Sequence, residues 1–208
     1  MGSILYTIGY AGYPDISSFI SELKRYGITT LIDIRRRPYV AFFDQYEGNR
    51  LRNTLTREDL AYIRFDGDFG MTADEDEEIP ESPVDFEEAA KTEDFAKGIA
   101  RLRFGIEKGL VPVVMGEAMD PAMCPRGLLI ARVMSDLGYT VIHILPGGTK
   151  DHAELEKQIA EFARADMKSE GSEEYQLSLI PGNDAAGSSL NDDDILAEGY
   201  RRLNRILF

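Results

Sequence analysis

Short apolar runs alternate with stretches of helical spacing along the first third of the chain. Ile4-Leu5-Tyr6-Thr7-Ile8 is a run of strand formers closed by Gly9. After Gly12-Tyr13-Pro14 the period changes: Ile16, Phe19, Ile20 and Leu23 recur at three- and four-residue intervals behind Asp15, a residue type that caps helix N-termini. Gly27 suits the left-handed position that ends a helix. Residues 29–34 then read as a second buried strand. This β-α-β order predicts two neighbouring parallel strands joined by a right-handed crossover.

The pattern continues less regularly. Residues 48–55 read as a short helix and 61–65 as a third strand. Residues 72–83 hold six acids and two prolines, the composition of an exposed loop. A turn or two of helix follows at 86–91. Thr92 opens an amphipathic helix with Phe95, Ile99, Leu102 and Ile106 on its apolar stripe and Gly109 at its end. Residues 110–115 form a fourth strand, 125–137 a helix stopped by Gly138, and 139–145 a fifth strand. Asp151 and Glu154 have the spacing of a capping box for a helix reaching about residue 167. The sum is an α/β fold: a mostly parallel five-stranded sheet with helices on both faces, plus a C-terminal helical extension. Residues 1–167 would be a single domain and 168–193 an acidic, Gly- and Ser-rich linker with a short apolar contact at 177–180. Residues 194–208 would be the last helix, with Ile195, Leu196, Tyr200, Leu203 and Leu207 on one side.

Composition narrows the function classes. With 208 residues and 43% apolar side chains, the chain can bury one continuous core. No apolar run approaches the ~18 residues of a membrane span, so no membrane partner is expected. The start lacks the basic flank and long apolar region of a secretory signal. Cys124 is the one cysteine, which rules out an intrachain disulfide and a cysteine zinc cluster, and a free thiol fits a reducing cytoplasm. The net charge is −14, with the acids concentrated in residues 66–93 and 184–198. That balance opposes non-specific nucleic-acid binding, which depends on neutralising phosphates. It leaves room for a local basic pocket. Oligomeric state is not written in the pattern.

Ligands of open parallel sheets bind beyond the carboxyl ends of the strands. Gly9, Tyr10, Ala11 and Gly12 follow the first strand; Asp33 ends the second, and Arg35, Arg36 and Arg37 follow it. Asp66, Asp68 and Gly70 follow the third, Glu117, Asp120, Cys124 and Arg126 the fourth, and Pro146, Gly147, Gly148 and Thr149 the fifth. Cys124 falls at a helix N-cap, with Pro125 at the first helical position. A helix start lowers a thiol's pKa and attracts anions, and Arg126 would strengthen both effects. The alternative is a small buried Cys124, with Arg126 paired to Glu117 or Asp120. Arg35 is the arginine of its run expected to face the crevice; a solvated turn is the other reading. Glu117 is placed for acid–base or hydrogen-bonding work. His143, inside a strand, reads as a satisfied core residue and His152 as a surface one. Gly9-x-x-Gly12 and Gly147-Gly148 are too short for a nucleotide fingerprint. No metal-ligand spacing links Asp68, Glu117 and Asp120, so no metal is expected, and no motif selects a cofactor.

Several of these residues form a longer pattern: Tyr6-Thr7-Ile8-Gly9-Tyr10; Asp33-Ile34-Arg35 with Pro38; Met115-Gly116-Glu117, Pro121, Cys124-Pro125-Arg126, Leu129-Ile130-Ala131; and Val141-Ile142-His143-Ile144. From about residue 3 to 145 it resembles the domain-of-unknown-function 488 family. That family shows T-I-G-H-S, D-V-R-x-x-P and C-x-E…P-x-x-C-H-R at its first, second and fourth strand ends. Thr7, Gly9, Asp33, Arg35, Glu117, Cys124 and Arg126 match. Tyr10 and Pro125 replace two family histidines, Met115 replaces the first cysteine, and the spacing from Glu117 to Cys124 is one residue longer. The resemblance implies an α/β sheet protein with a site at these strand ends, and supplies no activity.

Three functions follow. An enzyme-like site would act on a small anion, phosphate or nucleotide-like, with Arg35 and Arg126 as a clamp, Glu117 as acid or base and Cys124 as nucleophile. Gly9, Tyr10 and Asp33 would line it. A binding module would hold the same anion without turnover. A nucleic-acid-associated role is disfavoured by the charge. The missing imidazoles shift the expectation towards weak or altered catalysis.

Overall fold

The computed structural model describes residues 3–35, 44–65, 69, 85–170 and 191–207. Strands β1 (Ile4–Gly9), β2 (Thr30–Asp33), β3 (Ala61–Arg64), β4 (Pro112–Gly116), β5 (Thr140–Leu145) and β6 (Gly148–Asp151) form one sheet in the order β3-β2-β4-β1-β5-β6. All pairs are parallel except the β5–β6 hairpin. The architecture is α/β and mostly parallel, as the alternating pattern predicts.

Two expectations about the sheet are corrected. β1 and β2 are parallel but not neighbours, because β4 lies between them and pairs with both. Both β2 and β4 are buried at every position, so neither apolar run specifies its neighbour. The sixth strand was not expected. Pro146 and Gly147 form the two-residue turn, with Gly147 at φ 88°, where glycine avoids the strain other residues would carry.

Alternation along the strands sends side chains to two cores. On one face Ile8, Leu31, Val113, Met115 and Ile144 pack against helices α1 (Ile16–Arg25) and α2 (Gly48–Arg57). Asp15 caps α1 by accepting from Ser18 N at 2.7 Å, as its position before the apolar stripe foretold. On the other face Leu5, Ile32, Val114 and Val141 meet several helices. These are α3 (Phe86–Ala89), α4 (Glu93–Glu107), the helix opened by Pro125, α6 (His152–Glu170) and α7 (Asp192–Leu207). Each fully buried Leu or Phe contributes roughly 1.5–3 kcal/mol.

The helix expected at 125–137 departs from simple α geometry. After Pro125 it runs as a π-helix over Arg126–Ala131 and then as α5 (Arg132–Asp136). π segments inside helices are often found at functional sites. α6 extends three residues past the expected end, and α7 begins two residues earlier than the pattern suggested. The loop at 72–83, the linker core at 171–190, and Arg36, Arg37, Asp66, Asp68 and Gly70 lie outside the described residues.

Candidate functional site

The carboxyl end of β2 carries a locked ion pair. Asp33 is fully buried and shares the α1/α2 face with Leu31, two residues earlier. Arg35 returns to it: Nε donates to Oδ1 at 2.9 Å, Nη2 to Oδ2 at 2.7 Å, and the Arg35 backbone N–H to Oδ1 at 3.0 Å. The Tyr62 hydroxyl, on the neighbouring strand, donates to Oδ2 at 2.6 Å. Arg35 Nη2 also donates to the Tyr46 carbonyl at 2.9 Å. Burial works against the arginine's charge, and the Asp33 bonds outweigh it, holding the guanidinium above its ordinary pKa. One nitrogen is left over. Nη1 is buried and has no hydrogen-bond partner among the described residues. An unsatisfied buried donor costs about 1–3 kcal/mol, more when charged.

Tyr10 sits beside this pair. Its ring lies 5.0 Å from the Arg35 Cζ and 4.8 Å from the Tyr46 ring, and the residue is fully buried. Burial, then the nearby Glu117 charge, push the phenol up to about 12, with Arg35 opposing. The phenol is therefore a proton donor at neutral pH and not a base. Glu117 is exposed, one residue past β4, and its carbonyl accepts from Ala11 N at 3.1 Å. Arg35, Tyr10 and Glu117 thus form one electrostatic group at one edge of the sheet.

Arg126 occupies the opposite face. Gly9 and Gly116 are register partners at the ends of β1 and β4. A Cβ on Gly9 would come within 3.0 Å of Arg126 Nη2, and one on Gly116 within 3.5 Å of Nη1, so the glycine pair is the floor on which the guanidinium lies. Arg126 is fully buried. Nη1 donates to the Ala118 carbonyl at 2.7 Å and Nη2 to the Met119 carbonyl at 2.9 Å. Nε has no partner among the described residues. Arg126 therefore pins the loop that carries Glu117, and among the described residues the alternative pairing with Glu117 or Asp120 is not formed. Arg35 and Arg126 share an edge of the sheet but not a face of it.

Cys124 has the extended backbone of an N-cap, and its carbonyl accepts from Gly127 N and Leu128 N at 3.0 and 3.1 Å. Its Sγ lies 2.4 Å from where a Gly116 Cβ would stand, and the residue is 5% exposed. Asp120 caps the short helix Pro121–Met123 by accepting from Ala122 N at 2.9 Å. Among the described residues no group of three His, Cys, Asp or Glu side chains could hold a metal.

Sequence reasoning missed a polar chain under the other face. His143 is a buried, bonded core residue, as its place in a strand suggested. His152 is 2% exposed, which overturns its surface assignment. Thr7 Oγ1 meets His143 Nδ1 at 2.7 Å, His143 Nε2 meets His152 Nδ1 at 3.1 Å, and His152 Nε2 meets the Tyr200 hydroxyl at 3.2 Å. Tyr200 donates to Glu156 Oε1 at 3.4 Å. Because the carboxylate accepts only, it sets the direction throughout: both imidazoles are neutral and carry hydrogen on Nε2. Burial first, then the partner's charge, depresses His143 to about 2; burial, then Arg132, depresses His152 to about 4. The hairpin turn at Pro146-Gly147 was the signal, since it folds the chain back from His143 towards His152.

The sheet is that of an open α/β protein, and its strand ends gather an Asp–Arg pair, an aromatic ring and a carboxylate. The profile of the family described as Domain of unknown function DUF488 matches residues 15–133, more than half of the chain, and the chain belongs to that family. The matched stretch contains Asp33, Arg35, Glu117, Cys124 and Arg126; Gly9 and Tyr10 precede it. No curated protein and no solved structure matches the chain. No described helix is long and apolar enough to cross a membrane.

Proposed function

We propose that the chain binds a small anion, a phosphate or nucleotide-like group, at the strand-end edge, with Arg35 Nη1 as its principal donor. The observation that carries this is the buried Nη1 without an acceptor. Asp33 and the Tyr46 carbonyl orient the guanidinium, so the remaining nitrogen is preorganised for an incoming oxygen. Tyr10 lines the site as a neutral hydrogen-bonding group. Gly9 admits the close approach of the loop, and Arg126 fixes that loop and adds positive potential. The cytoplasm is the proposed place of action, supported by the single free thiol.

Binding without turnover is the reading we favour, since Cys124 is packed against Gly116 and poorly placed as a nucleophile. A catalytic reading rests on the Tyr10–Glu117 proximity, which offers a phenol as acid and an exposed carboxylate as base. The high negative charge argues against a nucleic-acid partner. Thermal unfolding with and without inorganic phosphate tests the proposal. The wild type gains stability, and Arg35→Lys, which keeps the charge but loses the fork, loses most of that gain. An equal gain in both proteins would refute the assignment to Arg35.

A further inference from the structure

We propose that a groove on the other side of the molecule, between α3, the helix opened by Pro125 and α7, is a second binding site, and that it takes a small organic carboxylate on Arg132. The groove encloses about 350 Å³, near the lower end of small-molecule sites. Phe86, Leu128 and Tyr200 give it apolar walls, and Arg132, Arg201 and Arg205 line it with positive charge.

These three arginines differ. Arg201 donates to Glu87 at 3.0 Å and to Glu198 at 3.3 Å, and Arg205 donates to Glu198 at 2.9 Å. Arg132 makes no hydrogen bond and no ion pair among the described residues; its Cζ stands 4.3 Å from the centre of the Tyr200 ring. A cation–π contact occupies the ring side of the guanidinium without using a hydrogen bond, so its N–H donors stay available. Tyr200 is itself fixed from behind, because His152 Nε2 and Glu156 Oε1 hold its hydroxyl at 3.2 and 3.4 Å. The buried polar chain therefore serves as the mount of a rigid aromatic shelf, and the shelf presents the cation to the groove.

The charge balance selects the ligand. One cation stands without a bonded carboxylate, and the rim also carries Asp85 and Glu87, which repel a dianion. Asp85 is already engaged as the α3 cap, accepting from Glu87 N at 2.8 Å and Glu88 N at 3.2 Å. A monoanionic carboxylate matches the fork in two parallel hydrogen bonds, and its aromatic or branched body fits Phe86 and Leu128.

NMR titration of the full chain with benzoate, beside inorganic phosphate as comparator, tests this site separately from the strand-end one. Benzoate is expected to give saturable shifts at Phe86, Leu128, Tyr200 and the Arg132 Nε–H, and phosphate to leave them unmoved. Arg132→Gln should weaken benzoate binding roughly tenfold or more, while Arg35→Lys leaves it unchanged. The wild-type Arg132 resonance reports directly, so the test does not depend on how well the variant folds. Absence of these shifts, equal shifts with phosphate, or full binding by a folded Arg132→Gln variant would overturn the proposal.

Discussion

Lowering the pH from 7 to 5 should cost this protein a substantial part of its stability, through the two buried imidazoles. In the unfolded chain both histidines titrate near 6.5, whereas in the fold His143 is held down to about 2 and His152 to about 4. Between the folded and unfolded values the unfolded state binds more protons. Stability is therefore complete above 6.5 and falls as the pH drops below it. Each imidazole kept neutral costs about 1.4 kcal/mol per pH unit in that window, so the pair contributes roughly 3–4 kcal/mol by pH 5. This is a large share of an ordinary folding free energy of about 5–15 kcal/mol. Glu156 works the other way: burial first, then Asp136, raises its pKa, and its earlier protonation in the fold offsets part of the loss. Arg126 and Lys150 near His143, and Arg132 near His152, add to the depression. Urea unfolding at half-unit pH steps measures the slope, in the wild type and in His143→Gln/His152→Gln. The wild type should lose stability much more steeply between 6.5 and 5 than the double variant. Equal slopes would show that the imidazoles are not the titrating groups and refute the reasoning.

Two further outcomes follow from close packing at the strand ends. Gly9→Ala would set a Cβ 1.9 Å from the Ala118 carbonyl oxygen, a backbone atom, so the loop must move, and a loss of about 1–3 kcal/mol or more is expected in chemical denaturation; an unchanged midpoint would contradict the packing. Cys124, 5% exposed, should react slowly with iodoacetamide in the native state and rapidly once unfolded, and fast native labelling would reveal an opened site.

Strand runs such as Leu31-Ile32 and Val113-Val114 were legible because burial on both faces leaves continuous apolar sequence. For the same reason their order was not, since one apolar strand suits any neighbour. Gly148-Thr149-Lys150-Asp151 carries no apolar pattern and is a strand only through its hairpin with β5. At the site, the rule for strand ends placed Asp33, Arg35, Tyr10 and Glu117 at one edge. Arg126 was expected to meet a carboxylate or an anion. Its acceptors are instead the carbonyls of Ala118 and Met119, which no side-chain pattern announces. His152 was misread because His143 reaches it only through the unforeseen β5–β6 hairpin, and Tyr200 lies 48 residues further along, in α7.

The insertion of β4 between β1 and β2 also governs when the sheet can exist at all. The first two strands are made well before β4 and β5, yet Tyr6 pairs with Val113 and Ile142, and Leu31 with Val113 and Tyr62. Only the β2–β3 pairing is within reach of a half-made chain. Until residues 112–116 arrive, β1 has no partner on either side, and its apolar run waits in the nascent chain with both edges open. Closing such distant pairs carries a large loop entropy before any contact rewards it, which slows folding and lengthens exposure. Until β4 is made, the extended apolar segment of β1 therefore stays unpaired, the kind of transiently exposed strand edge that makes folding intermediates prone to aggregate.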